Sequence, residues 1–312
     1  MSELFCHPDE EAVAFEGHVN VLEALVEAGI PITHLCGGKA RCSTCRVRVA
    51  EGLDGLSTRT KPEEAMAQRL DFPPEVRLAC QATASSSADL RRLVLDSEDA
   101  ELASQLRGSG LRGPIGQDIE VAVLFADVVG FTTMSEALPA YDVVHMLNRF
   151  FHGASGAIEA NHGQVDNYMG DAVLALFGVD GEESPSAHAI AAGLAILEVA
   201  QDLNHYVERV YDMGFGVRIG IDFGEVVYGL LGAETSARET AIGDPVNVAS
   251  RLQNANKETG TEMLVSQAAA SGCDKIIEFG RRFDLDLRGK VGMVTAYEVN
   301  GLAGTEGGTD DA

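Results

Sequence analysis

The sequence predicts an α+β fold that is divided between two domains joined by a short connector. The chain has 312 residues, which is long enough for two domains of ordinary size. Strand-like and helix-like patterns occur in both parts, but most of the cysteines lie in the first. Residues 96–118 begin polar and end rich in glycine, as a connector does. We therefore predict domains at 1–95 and 119–300 and a disordered tail at 301–312.

In the first domain, the segment HVNVLEALVEAGI repeats apolar residues at helical spacing and stops at Gly29, so it predicts a helix. AVAFEG before it predicts a strand, and RVRVAEG after Cys45 alternates like a half-buried strand.

Four cysteines of this domain follow the spacing C-x5-C-x2-C-x34-C. They are Cys36, Cys42, Cys45 and Cys80. Four thiolates can hold either Zn²⁺ or an iron–sulfur cluster. Zinc ribbons pair two C-x2-C knuckles and this chain has one, whereas the glycine-led loop after Cys36 could wrap a larger inorganic core. An iron–sulfur cluster, zinc and unliganded thiols are the three possibilities at this point, and Cys6 and Cys273 are expected to be free thiols.

The spacing and the residues around it resemble the adrenodoxin-type 2Fe-2S ferredoxins across nearly the whole of residues 1–95. The resemblance implies a β-grasp fold, a 2Fe-2S cluster held by the four cysteines, and an electron donor or reductase as a partner.

Two segments of the second domain each display a carboxylate at the end of a strand. VAVLFADVVGFTTMSE predicts a buried strand that stops at Asp127, followed by a helix with Thr133 and Glu136 as its capping box. HGQVDNYMGDAVLALFG predicts two strands joined by a turn that presents Asp171. Two such carboxylates on one sheet would suit Mg²⁺ or Mn²⁺ together with a nucleotide's phosphates, although turn chemistry alone also explains Asp171.

A third segment, AIGDPVNVASRL, predicts a helix with Asp244 as its N-cap and Pro245 at its first position. Asn247 and Arg251 then lie one turn apart on the same face. An amide beside a guanidinium can bind a ribose and a phosphoryl group, and a merely solvated face is the alternative.

In order and spacing, these segments resemble the class III adenylate/guanylate cyclase catalytic domain over about residues 119–299, including GIDFGEVVYGLLG. The resemblance implies a ferredoxin-like, βαββαβ-based fold. It implies that Asp127 and Asp171 hold two Mg²⁺ or Mn²⁺ ions, that Asn247 orients the ribose and that Arg251 stabilises the transition state. It also implies a homodimer, because each site of this family is shared by two chains.

The resemblance also implies contacts to the substrate. LRGKVGMVTAYEV resembles the phosphate-binding segment of the family, and the family's two base-selecting positions are occupied by an amide and a hydroxyl in this chain. Guanylate cyclases tend to carry an acid at the first of these positions, so ATP is favoured over GTP. The expected substrate contacts are Asn167, Thr240, Phe131, Thr132, and Arg288 or Lys290.

The net charge of −25 argues against binding to nucleic acids or anionic membranes. No apolar run approaches the roughly 18–20 residues of a membrane span, and AIAAGLAILEVA at 189–200 predicts a core helix. The N-terminus has no signal-peptide pattern, so we expect a cytoplasmic protein.

Together these features predict a homodimeric adenylate cyclase that makes cyclic AMP and pyrophosphate by two-metal catalysis, with its output set by the redox state of the cluster. The connector is either slack or pairs with the same segment of the partner chain. A guanylate cyclase, and an electron-transfer protein with a nucleotide-binding module that does not turn over, are the alternatives. A diguanylate cyclase is disfavoured because the GGDEF-type signature is missing.

Overall fold

The computed structural model describes residues 2–94, 116–232, 237–273, 275–290 and 292–303. The chain divides into two compact units that both combine helices and strands. Most of the predicted connector and most of the predicted tail lie outside the described residues.

The first unit is built on a five-stranded sheet with the order β2-β1-β7-β4-β5, and β3 and β6 form a second small sheet. Its strands are β1 (Ser2–His7), β2 (Glu11–Phe15), β3 (Val19–Asn20), β4 (Arg46–Glu51), β5 (Val76–Leu78), β6 (Thr83–Ala84) and β7 (Ala88–Arg92). Its helices are α1 (Val21–Glu27), α2 (Lys61–Arg69) and a 3₁₀ turn at Leu53–Gly55. β1 is antiparallel to β2 and parallel to β7.

The predicted elements of this unit are confirmed. α1 ends before Gly29, whose φ of 81° is left-handed and stops the helix. β4 alternates between buried and exposed positions, and its Val47 is fully buried with Leu4 and Leu90 in the core.

The second unit has an eight-stranded sheet with the order β14-β15-β13-β11-β8-β10-β9, and β12 pairs with β11. Its strands are β8 (Gln117–Val128), β9 (Gly163–Met169), β10 (Ala172–Phe177), β11 (Val217–Leu231), β12 (Arg238–Ile242), β13 (Met263–Ser266), β14 (Ile277–Leu285) and β15 (Val294–Leu302). Its helices are α3 (Phe131–Ala137), α4 (Ala140–Ala160), α5 (Pro185–Tyr211), α6 (Asp244–Thr259) and α7 (Gln267–Ala270).

Helices cover both faces of this sheet, which explains why the predicted strand in β8 is apolar without alternation. Leu124 and Ala126 of β8 belong to the core that also contains residues of α4 and α5. Val121 and Val123 point to the opposite face, in a cluster that includes Ala249 of α6. The site-bearing strand is therefore held from both sides.

The predicted core helix at 189–200 is confirmed as part of α5, where Ile190 and Ile196 are fully buried. Within the described part of the chain, no helix combines the length and the apolar character that crossing a membrane requires.

Two predicted helix starts are wrong. α3 begins at Phe131, because Gly130 adopts a left-handed φ of 70° and turns the chain directly into the helix, so Thr133 makes no capping box. α6 begins at Asp244, with Gly243 rather than Asp244 as its N-cap. Both errors are short shifts that leave the site-bearing faces of the helices unchanged.

Candidate functional site

Two carboxylates lie side by side at the ends of neighbouring strands of the second unit. Asp127 of β8 is paired in register with Ala172 of β10, the residue that follows Asp171. Gly170 has a left-handed φ of 67° in the turn before Asp171. The side chains of Asp127 and Asp171 are within hydrogen-bonding reach of each other. The structure thus brings together the two residues that the sequence predicts as metal ligands.

The surroundings of Asp127 disfavour an unaccompanied negative charge. Burial, and next the charge and hydrogen bond of Asp171, raise the pKa of Asp127 to about 6, while the charge of Arg218 acts in the opposite direction. The Nε2 atom of Gln253 donates to Oδ2 of Asp127 at 3.4 Å. A pair of crowded carboxylates is a donor set that a divalent cation would stabilise.

In the part of the chain that the structure describes, the carboxylate pair is not part of a larger cluster of metal-binding side chains. Within the described ranges, no three His, Cys, Asp or Glu side chains form a ready metal-binding group. Two carboxylates are nevertheless enough for Mg²⁺, which usually takes its other ligands from substrate phosphates and water.

The predicted amide and guanidinium lie on α6. Asn247 is exposed and its Nδ2 donates to the carbonyl oxygen of Gly243 at 3.3 Å. Arg251 is half-buried against Gly289, where a Cβ would come within 3.3 Å of the guanidinium. Both side chains are therefore on the outer side of the helix, as the one-turn spacing predicts.

The two candidate triphosphate contacts lie on different cavities. Arg288 and Arg251 line a cavity of about 610 Å³. Lys290 forms an ion pair with Asp244 and lines another cavity, of about 450 Å³, together with Asp222. Only Arg288 therefore shares a cavity with Arg251.

The predicted base selectors are close to an acid that the sequence analysis did not select. Thr240 is 6% exposed, and its hydroxyl donates to Oδ2 of Asp166 at 2.8 Å. Leu174 of β10 pairs with Asn167 whereas Ala175 pairs with Val165, so Asp166 is the extra residue of a β-bulge.

Phe131 and Thr132 are the first two residues of α3, shortly after Asp127. The ring of Phe131 packs against the core of the unit, whereas Thr132 is exposed and its carbonyl oxygen accepts from Ser135 Oγ at 2.8 Å. Of the two, Thr132 presents its side chain to solvent.

In the first unit, the four predicted cysteines form two pairs. The thiol of Cys36 is hydrogen-bonded to Cys42, and that of Cys45 to Cys80. Cys45 and Cys80 are buried, and Cys36 and Cys42 are half-buried. Two pairs of thiols match a core with two irons, each of which takes two protein ligands.

The environment of the cysteines favours a thiolate at Cys80 and at Cys36, whereas the hydrogen bond with Cys80 and burial raise the pKa of Cys45. The hydrogen bond from Cys45 lowers the pKa of Cys80 to about 6, although burial opposes it. Burial also opposes ionisation of Cys36, but hydrogen bonds from Cys42 and from backbone N–H groups of the loop lower its pKa. Gln81 Nε2 lies 3.7 Å from Cys80 Sγ and donates to the carbonyl oxygen of Gly38 at 3.1 Å. By contrast, burial raises the pKa of Cys6 to about 11.

Sequence reasoning missed Asp166 and Gln253. A bulge depends on how two strands pair, so nothing local marked Asp166. Gln253 left a weak signal, because it continues the buried stripe of Val248, Ala249 and Leu252 on α6 but is polar. A polar residue on an apolar face is the pattern that could have identified it.

Comparison with known protein families gives two matches. Residues 115–301 match the adenylate and guanylate cyclase catalytic domain. Residues 5–85 match the 2Fe-2S iron-sulfur cluster binding domain. Both resemblances predicted from the sequence are confirmed.

Curated relatives resemble the second unit. The chain is 34% identical over 200 residues to adenylate cyclase 1 of Rhizobium meliloti (strain 1021), which covers 61% of this chain and 29% of that protein. It is 32% identical over 188 residues to the adenylate cyclase of Anabaena cylindrica, which covers 57% of this chain and 36% of that protein. The chain thus spans about a third of the length of these relatives.

Solved structures agree with the predicted α+β fold. The guanylyl cyclase Cya2 superposes with a TM-score of 0.57 at 25% identity, covering 62% of this chain and 97% of that one. The adenylyl cyclase CyaB from P. aeruginosa superposes with a TM-score of 0.55 at 27% identity, covering 59% and 95%.

Proposed function

The chain belongs to the adenylate and guanylate cyclase catalytic domain family, and we propose that it converts ATP into 3′,5′-cyclic AMP and pyrophosphate in a homodimer. The observation that carries the proposal is the pair of adjoining carboxylates, Asp127 and Asp171, at two strand ends. The adenylate cyclases among the relatives support ATP as the substrate.

In this reaction the ribose 3′-oxygen attacks the α-phosphorus and loses its proton to solvent. The bond from the α-phosphorus to the oxygen that bridges to the β-phosphate breaks, and its electron pair leaves with pyrophosphate. Two bound Mg²⁺ or Mn²⁺ ions would lower the pKa of the 3′-hydroxyl and neutralise the triphosphate. Asp127 and Asp171 would hold these ions with their carboxylate oxygens.

Two side chains of α6, Asn247 and Arg251, complete the active site of the partner chain. Asn247 orients the ribose, because its exposed amide can both donate and accept. Arg251 stabilises the charge that grows on the phosphoryl oxygens. Arg288 is the better candidate than Lys290 for the triphosphate contact, because it shares a cavity with Arg251.

Guanylate cyclase activity is the second candidate function. The carboxylate of Asp166 lies beside the predicted base selector Thr240, and a carboxylate suits the two adjacent donors of a guanine edge. The likeness to the guanylyl cyclase Cya2 points the same way. The hydroxyl of Thr240 already donates to Asp166, however, which leaves that carboxylate less available to guanine.

The first domain is proposed to hold a 2Fe-2S cluster on Cys36, Cys42, Cys45 and Cys80. The two thiol pairs and the domain match support this cluster over a single zinc ion. The cluster would supply one-electron redox chemistry, fed by an electron donor or reductase. Because both domains occur in one chain, the redox state of the cluster is proposed to set the cyclase rate.

The test is product analysis of the purified, cluster-loaded chain with Mn²⁺ and either ATP or GTP, alone and in competition. We expect cyclic AMP as the main product. Asp127→Ala should lower its formation by at least about a hundredfold, because a catalytic metal supplies several kcal/mol. Asp202→Ala, at an exposed position of α5, is the matched control and should be unchanged.

The same assay tests the shared site. Arg251→Ala should also be inactive alone, but mixing it with Asp127→Ala should restore about a quarter of the wild-type rate, since half of randomly paired dimers carry one intact site of two. No recovery would contradict the shared site. If the wild-type chain forms neither cyclic AMP nor cyclic GMP, the non-catalytic alternative is favoured.

A further inference from the structure

The side chain of Gln253 is buried in the second unit, although the proposed reaction gives it no part. It lies on α6 and is 4% exposed, beside the buried apolar residues Ala249 and Leu252. A buried amide is costly unless it is hydrogen-bonded. Its Nε2 donates to Oδ2 of Asp127 at 3.4 Å, so α6 reaches the carboxylate pair through this side chain.

The backbone of α6 around Gln253 is closely fixed to β11. A Cβ at Gly220 would lie 2.1 Å from the carbonyl oxygen of Ala249 and 2.3 Å from the backbone nitrogen of Gln253. One turn later, Asn256 is 1% exposed and its Nδ2 donates to the carbonyl oxygen of Ile219 at 2.8 Å. This part of the helix therefore has little room to move towards β11, and the backbone of Gln253 is held in place.

We propose that Gln253 is a positioning residue for the metal-binding carboxylate. Its N–H donates to Oδ2 and so restrains the rotation of the Asp127 side chain. With Oδ2 held by the amide, Oδ1 of Asp127 and the carboxylate of Asp171 are left to face a divalent cation.

The inference rests on the proposed function, and it adds a link between the two sites of the dimer. α6 carries Asn247 and Arg251, which serve the partner's site, and the same helix holds Asp127 of its own site through Gln253. In each chain, α6 thus connects the carboxylate that binds metal in one site with the Asn and Arg side chains that serve the other site.

The test is Mn²⁺ binding to the full chain without nucleotide, measured from the free Mn²⁺ signal by electron paramagnetic resonance. Gln253→Leu and Gln253→Met remove the donor at similar size and should raise the Kd for Mn²⁺ by about tenfold, as loss of an outer-shell ligand contact does. Using two variants guards against one that fails to fold, which thermal unfolding would reveal.

Two controls separate positioning from packing. Asn256→Leu removes a buried amide that fixes the same helix but does not contact Asp127, and it should leave the Kd within about twofold. Gln201→Leu, at an exposed position of α5, should also leave it unchanged. If Asn256→Leu weakens Mn²⁺ binding as much as Gln253→Leu does, the effect is one of packing and the inference is overturned.

Asp127→Ala distinguishes the failure of this inference from that of the proposed function. If Asp127→Ala binds Mn²⁺ like the wild type, the proposed metal site is wrong. If Asp127→Ala loses binding while both Gln253 variants keep the wild-type Kd, the metal site stands and only the positioning role is overturned.

Discussion

The hydroxyl of Thr240 has two possible uses, because it can bind either the base of a nucleotide or a neighbouring carboxylate. In the structure it donates to Asp166 at 2.8 Å, so only its lone pairs are left for other partners. Asp166 reaches this position because the bulge in β9 inserts it beside Asn167. The first base-selecting position is occupied by Asn167, which is not acidic, but the acid Asp166 lies one residue before it.

Thr240→Val should shift the nucleotide preference towards GTP. The change removes the donor that occupies Asp166, and the released carboxylate can accept from the adjacent N–H groups of guanine. We expect the ratio of kcat/KM for GTP to that for ATP to rise by about tenfold, the value of one hydrogen bond to a charged group. The measurement is steady-state kinetics with each nucleotide.

The matched control is Thr295→Val, which removes the 2.6 Å hydrogen bond from another threonine to an aspartate, Asp284. It should leave the GTP/ATP ratio unchanged. If the GTP/ATP ratio of kcat/KM is unchanged in Thr240→Val, Asp166 does not take part in recognition of the base.

At the scale of elements, α2 is held to β5 by a buried ion pair. Glu63 and Arg77 are 1% and 3% exposed and are joined by two hydrogen bonds of 2.9 Å. Oε1 of Glu63 also accepts from the backbone nitrogen of Leu78 at 2.8 Å, two residues before Cys80. This contact fixes the backbone that presents the last cysteine.

Glu63→Gln should destabilise the first unit, because it leaves the charge of Arg77 buried without its partner. We expect a loss of about 3–5 kcal/mol, and the double change Glu63→Met with Arg77→Met should recover most of it. Urea unfolding followed by the visible absorbance of the cluster measures the effect.

Glu64→Gln is the control, because Glu64 lies on the same helix in a more exposed pair with Arg59. It should lower the free energy of unfolding by at most about 1 kcal/mol. Equal losses in the single and double variants would contradict this account.

The elements that the sequence predicted well are those with a local cause. The turn before Asp171 follows from Gly170, and the shared face of Asn247 and Arg251 follows from helical spacing, so both were predictable. The start of α3 was wrong by three residues, because a left-handed Gly130 is the N-cap in place of the expected Thr133. The contacts of Asp166 and Gln253 join segments far apart in the sequence, and they depend on strand register and packing that no short pattern encodes.

For the molecule as a whole, the net charge of −25 opposes the approach of a triphosphate. Divalent cations on Asp127 and Asp171, together with Arg251 and Arg288, would have to offset this field locally. The rate of cyclic AMP formation should therefore depend more steeply on the divalent cation concentration than it would in a protein without net charge. A signal that changes the binding of divalent cations at Asp127 and Asp171 would then change the rate of cyclic AMP formation.

The redox state of the cluster is the signal that we expect to control this output. Under anaerobic conditions, the rate of cyclic AMP formation from Mg·ATP should differ between the oxidised and the reduced protein by about fivefold or more, since couplings between sites are typically about 1–3 kcal/mol. Cys80→Ser, which removes one cluster ligand, should abolish the difference. Cys6 and Cys273, which are buried, are unchanged in that variant. An effect of the reductant on these two thiols would therefore still be seen in Cys80→Ser and could be told apart from an effect on the cluster. Equal rates for the oxidised and reduced wild type would contradict redox control and leave the cluster a structural role.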